Sequence, residues 1–168
     1  GNSWAAVNNG LTNLHITSLS VVGGDVFVGT IGGGVFRSSN NGNDWIPVNS
    51  GFPTNATYVT TLFVDGSTLY ASISGYGLYR STNNGDNWIS INTGLNNDYV
   101  TALCKQGNNL FASTSEGVYI SSSNGDNWTI CSNSGLTQTS IYSLAVNGSN
   151  IFTGTQSGVF RSDDNCEN

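Results

Sequence analysis

The sequence predicts an all-β fold, a β-propeller of four-stranded antiparallel blades with four blades per chain. Three observations carry this. Tryptophans recur at Trp4, Trp45, Trp88 and Trp128, at intervals of 41, 43 and 40 residues, and a period near 40 with strand-like content marks a radial or solenoidal β array. Short runs of alternating apolar and polar residues, rich in Val, Ile, Thr and aromatics, are punctuated by Gly, Asn and Asp. No stretch shows helical apolar spacing. A β-solenoid is the alternative, but its coils are usually shorter than 40 residues.

Cut at the tryptophans, the chain falls into four repeats, 4–44, 45–87, 88–127 and 128–168, within a single domain of residues 1–168. Each repeat opens with a short strand such as Trp45-Ile46-Pro47-Val48. A turn follows, at Asn9-Gly10, Ser50-Gly51, Thr93-Gly94 and Ser134-Gly135, and then a polar loop. A second run, such as Val59-Thr60-Thr61-Leu62-Phe63-Val64, closes on Asp65-Gly66. A third run begins at Thr68, and a fourth, Gly77-Leu78-Tyr79-Arg80-Ser81, leads into the next tryptophan. Four strands in 40 residues is the content of one propeller blade.

Each of the last three tryptophans ends the same phrase: SSNNGNDW over 38–45, STNNGDNW over 81–88 and SSSNGDNW over 121–128. The pattern resembles the Asp-box, or BNR repeat, of β-propellers found in sialidases, some xyloglucanases, a sorting receptor, photosystem assembly factors and many secreted bacterial proteins. The resemblance covers the whole chain. It implies that Ser38, Asn40, Gly42 and Trp45, then Ser81, Asn83, Gly85 and Trp88, then Ser121, Gly125 and Trp128 form the turns between third and fourth strands. An Asx-type turn, a glycine with positive φ and an indole wedged between blades would suit those residue types. The usual Asp is replaced by Asn40, Asn83 and Ser123, which leaves no anionic cage for calcium. No metal or cofactor is expected.

The fourth phrase is divided between the chain ends. Residues 162–165 and 1–4 join as SDDN-GNSW, with Ser162, Asp164, Gly1 and Trp4 in the box positions. A strand at residues 4–7 is therefore expected to complete the last blade beside residues 158–161. Within one chain this makes a four-bladed ring; between chains it makes an eight-bladed homodimer or an open polymer. A third reading takes the chain as a piece of a longer propeller. The family's rings usually have six or more blades, which favours closure in trans and makes the chain its own partner.

Composition points to a secreted, extracellular protein. Charged residues make up only 8% of the chain, and Ser, Thr, Asn and Gly fill the polar faces. A net charge of -6 with four Lys and Arg argues against nucleic acid. No apolar run is long enough for a membrane helix. Cys104 and Cys131 read as small buried hydrophobes. Cys166 replaces the box glycine and is a candidate for a disulfide with Cys131 or with a neighbouring subunit. The glycosylation pattern at Asn55, Asn127 and Asn147 is what chance gives in so Asn- and Thr-rich a chain.

An active site is not expected. Sialidase chemistry needs clustered arginines, but Arg37, Arg80 and Arg161 occupy equivalent places in their repeats and so should be spread round the ring. Asp98 and Glu116 are the only carboxylates in loops that open on the face opposite the boxes. Two functional readings follow from the residues that break the repeat. Loops 11–15, 52–58, 95–99 and 136–140, with 30–34, 74–77, 115–117 and 156–158, should form one face carrying His15, Tyr58, Tyr76, Asp98, Tyr99 and Glu116. Aromatics with amides suit a glycan or protein ligand. The other reading is structural: an assembly module or subunit of an extracellular ring, tube or filament.

Overall fold

The computed structural model describes residues 3–96, 98–137 and 139–163, in fifteen strands and no helix among them. Blade one is β1 (Ile16–Val22), β2 (Asp25–Thr30), β3 (Val35–Ser38) and β4 (Ile46–Pro47). Blade two is β5 (Val59–Asp65), β6 (Thr68–Ile73), β7 (Gly77–Ser81) and β8 (Ile89–Ser90). Blade three is β9 (Ala102–Gln106), β10 (Asn109–Thr114), β11 (Gly117–Ser121) and β12 (Thr129–Ile130). Blade four has β13 (Ile141–Asn147), β14 (Asn150–Thr155) and β15 (Gly158–Ser162). All pairings are antiparallel, in sequence order within each sheet. The strand after each tryptophan thus closes the preceding blade, so blade boundaries are offset from the repeat boundaries.

The third and fourth strands pair in one register throughout: Arg37 opposite Ile46, Arg80 opposite Ile89 and Ile120 opposite Thr129. The first strands line the interior of the array, with β1 packed on β5, β5 on β9 and β9 on β13. The core is a series of clusters between successive blades. Trp88 sits with Val35, Val48, Leu69, Ala71 and Tyr79, stacked on Phe52 at 5.1 Å. Trp128 sits with the equivalent Leu78, Ile91, Leu110, Ala112 and Tyr119, beside Leu95. Thr60 and Thr101 add stitches, donating to the carbonyls of Val100 and Ile141 at the start of the next blade, at 2.7 and 2.6 Å.

The expected completion of blade four by residues 4–7 is not found within the chain. The sheet has three strands, residues 3–8 contain no strand, and Trp4 is 99% exposed. The physical reason is that β1 and β13 do not pack together: the four blades form an open arc. Leu19 is 66% exposed where its counterparts Leu62 and Leu103 are buried. At the other end Val159 is 74% exposed where Val35, Leu78 and Val118 are buried.

Each blade junction turns on a glycine. A Cβ at Gly51 (φ 95°) would stand 2.0 Å from the carbonyl oxygen of Trp88, whereas one at Gly66 (φ 59°) would meet nothing within 4 Å. Gly66→Ala should therefore cost only the backbone strain, about 1–2 kcal/mol. Gly51→Ala should cost roughly 3 kcal/mol or more, because strain and a backbone clash combine. Urea unfolding monitored by tryptophan fluorescence checks the ordering.

Candidate functional site

The tryptophan phrase folds into one hydrogen-bonded turn in each complete blade. Ser38 Oγ accepts the Gly42 N–H at 2.8 Å, Ser81 Oγ that of Gly85 at 3.0 Å and Ser121 Oγ that of Gly125 at 2.9 Å. Asn40 Oδ1 and Asn83 Oδ1 accept the N–H groups of Asp44 and Asn87, and Ser123 Oγ accepts that of Asn127 at 3.0 Å. A hydroxyl and an amide oxygen thus do the same work without a charge. Asn41, Asn84 and Asn124 take φ of 60°, 60° and 53°, in the left-handed region asparagine tolerates best after glycine. Each indole then reaches back across a junction: Trp45, Trp88 and Trp128 donate Nε1–H to the carbonyls of Val7, Val48 and Ile91, all at 2.8 Å. Gly1 and Asp164 lie outside the described residues.

The arginines do not converge. Arg37 donates to the Asn84 carbonyl at 2.8 Å and to Asp86 at 2.9 Å, in the turn of the next blade. Arg80 does the same to Asn124 and Asp126, at 2.8 and 2.9 Å. Arg161, in the last blade, instead reaches Asp163 in its own turn at 3.4 Å. The Arg37 and Arg80 contacts are inter-blade clamps, combining a charge-assisted hydrogen bond with an ion pair.

The loops at the opposite rim form a continuous edge. His15 accepts the Ile31 N–H through its carbonyl, Thr57 accepts those of Gly32 and Gly34, Tyr58 that of Ser74, and Asp98 that of Gly77. The two Tyr side chains at 58 and 99 meet through their hydroxyls. One loop further, the Tyr119 hydroxyl donates to Glu116 Oε2 at 3.1 Å and lies against the backbone of Asn96. Asp98 therefore contributes a backbone carbonyl to the rim, and Glu116 a side-chain acceptor. Tyr76 packs against the core between blades one and two.

Sequence reasoning missed the residue that holds this rim. Asn49 Oδ1 accepts the Val35 N–H at 2.8 Å while its Nδ2 donates to Gly33 O at 3.0 Å. Asn92 repeats this with Leu78 and Tyr76, and Asn133 donates to Glu116 O. The signal was present: Asn stands one residue before the turn dipeptide in every repeat, at Asn8, Asn49, Asn92 and Asn133.

Burial pushes the phenols of Tyr70, Tyr79, Tyr99 and Tyr119 above their ordinary value of 10. For Tyr99 the Tyr58 hydroxyl adds to this, and for Tyr119 Glu116 does. Cys104 and Cys131 are both buried in the cluster between blades three and four. Cys166, and with it the expected disulfide, lies outside the described residues. No group of three or more His, Cys, Asp or Glu suited to a metal occurs among the described residues. No described helix is long and apolar enough to cross a membrane.

No protein-family model and no curated protein matches the chain. Solved structures do. The computationally designed protein Ika4 matches at a TM-score of 0.70 and 12% identity, over 92% of this chain and 94% of its own. The extracellular domain assigned to the one-component system BT4673 from B. thetaiotaomicron matches at 0.77 and 22% identity, over 92% of this chain and 22% of its own. An ancestral GH74 enzyme, AFV00434, matches at 0.74 and 20% identity, over 98% of this chain and 25% of its own. The chain thus spans about a quarter of the length of the latter two proteins. With the blade topology, these likenesses define the chain as a β-propeller array.

Because the folded state holds these phenols neutral, the unfolded chain loses their protons first as pH rises. Their stabilising contribution is complete below pH 10 and is lost as pH climbs through the raised native values, so the urea midpoint should fall over that range. Tyr58→Phe should lower the Tyr99 pKa yet leave it above the ordinary value, since burial is the larger cause; absorbance titration near 295 nm reads it. Arg80→Ala should cost about 1 kcal/mol, the surface-exposed Asp126 adding little beyond the carbonyl bond. Thermal unfolding of the variant measures that loss.

Proposed function

We propose that this chain is a non-catalytic, secreted Asp-box β-propeller whose role is association, as an interaction or assembly module. The observation that carries this reading is the open arc: both end blades present to solvent the apolar faces that the inner blades bury. Exposed patches of this kind mark interaction sites rather than the surface of a self-sufficient monomer. The polar chemistry points the same way. Arg37 and Arg80 are committed to the turns of neighbouring blades, and the carboxylates of Asp86 and Asp126 to those arginines. A glycosidase needs two carboxylates about 5–10 Å apart flanking one substrate bond, and the box carboxylates are instead distributed one per blade turn. An extracellular address agrees with the low charge and with an extracellular domain among the fold relatives.

A second reading is a glycan- or protein-binding rim. It is favoured by the Tyr58–Tyr99 hydroxyl contact and the adjacent Tyr119–Glu116 bond, which line up aromatic and acceptor groups on one edge.

Absolute mass by light scattering, without ligand, tests the first reading. Assembly beyond one chain supports it; a single-chain mass at every concentration removes it. For the second, Tyr58→Ala with Tyr99→Ala should abolish retention on a glycan array at an unchanged melting temperature. Turnover of a fluorogenic glycoside, lost in Asp98→Asn or Glu116→Gln, would overturn both.

A further inference from the structure

One cavity, of about 300 Å³, opens between blades three and four. Its lining includes Val118, Cys131, Leu136, Ile151, Thr153 and Phe160. Position by position, these are the repeat equivalents of the six residues around Trp128: Leu78, Ile91, Leu95, Leu110, Ala112 and Tyr119. They are also the equivalents of those around Trp88: Val35, Val48, Phe52, Leu69, Ala71 and Tyr79. The cavity is an indole pocket without its indole. Meanwhile Trp4 is the one tryptophan outside a pocket.

Gly135 gives an independent sign of the same vacancy. A Cβ on Gly10, Gly51 or Gly94 would lie 2.1, 2.0 and 2.1 Å from the carbonyl oxygen of the next tryptophan. Gly135 has the same left-handed backbone (φ 80°), yet a Cβ there would meet nothing within 4 Å among the described residues. Among the described residues, nothing occupies the place that a tryptophan backbone takes beside the other three glycines. Arg161 is a third sign. Its side chain is 57% exposed, against 19% and 16% for Arg37 and Arg80, each of which grips the turn of a following blade.

We propose that this cavity seats Trp4 of a second copy of the chain, delivered as the fourth strand of blade four, so that copies join head to tail. The inference rests on the assembly reading above and names its joint. The internal register sets the pairing: Arg161 opposite the second copy's Ala5 and Phe160 opposite its Ala6, as Arg37 pairs Ile46 and Phe36 pairs Pro47. Blade one of the second copy then covers the exposed Val159 face, and its Leu19 face is covered in turn. Arg161 reaches the Asn41 carbonyl of that copy, as Arg37 reaches that of Asn84. The joint reproduces the junction that the chain builds around Trp88 and Trp128. A head-to-tail contact closes if its rotation allows, and two copies give eight blades, within the usual propeller range.

Three proteins test this: the wild-type 168-residue chain, Trp4→Ala and Gly135→Ala. Trp4 is exposed, and Gly135 has open space beyond its Cβ, so both variants should keep the single-chain fold by circular dichroism. The expected result is a wild-type mass of two chains or more that falls to one chain in each variant. A fluorescently labelled peptide of residues 1–10 should bind the Trp4→Ala chain saturably, and the same peptide with Trp4→Ala should not bind. The peptide arm stands even if a variant misfolds. Assembly that persists unchanged in both variants, or a peptide that does not bind, overturns this joint but leaves the assembly reading standing. A wild-type monomer with Trp4 accessible to acrylamide overturns both. A wild-type monomer with Trp4 shielded overturns the second copy as occupant and assigns the pocket to the chain's own Trp4.

Discussion

The structure depends on one contact, made by Trp88 and Trp128 at the first two blade junctions: a buried indole that fills the gap between two sheets and donates its N–H to a backbone carbonyl on the preceding side. Two adjacent sheets in a radial array diverge, and the wedge between them must be filled by something large, flat and apolar. A tryptophan meets that need but brings a polar N–H that cannot be left unpaired in the core. The carbonyls of Val7, Val48 and Ile91 accept it, each three residues beyond the previous tryptophan. Satisfying the donor therefore fixes the spacing and angle between blades. The close glycines Gly10, Gly51 and Gly94 follow from the same geometry, because the tryptophan backbone runs against each with no room for a side chain.

Around this wedge the chain uses short polar side chains where other proteins use charges. The box turns are held by serine hydroxyls and amide oxygens, and the rim loops by Asn49, Asn92 and Asn133. Amides that both donate and accept replace the ladder bonds missing from loops, at no cost in buried charge. Arg37 and Arg80 work between blades, each gripping the carbonyl of a left-handed asparagine and a nearby aspartate. The low charge of the composition thus has a structural cause: polar groups here serve turns rather than solvent-facing ion pairs.

A repeat array of this kind buries a blade only when both neighbours are present. Blades two and three each have two neighbours, and the core between them is filled by Trp128. Blades one and four have one each, and their outer faces remain apolar and exposed. The functional reading follows from that asymmetry. The repeating ion pairs, Arg37 with Asp86 and Arg80 with Asp126, lie at equivalent places on successive blades and do not converge on one point.

How much was legible in the sequence differs by level. The period of the tryptophans, the strand content and the offset of the last strand into the preceding blade could all be read directly, because each is a local pattern repeated along the chain. So was the spread of Arg37, Arg80 and Arg161, since equivalent positions in a rotating array cannot meet. The asparagine buttress at Asn49, Asn92 and Asn133 was present as a recurrence but carried no local signal of its long-range partners, which lie 14 to 17 residues away across a sheet. The sequence by itself determined the blade and its turn chemistry. Only the tertiary structure decided that the arc stays open, that Trp4 stands outside any pocket and that a cavity lined by the equivalents of the indole-pocket residues remains between blades three and four. Those features depend on the accumulated angle between blades, a sum of packing contacts that no single repeat encodes.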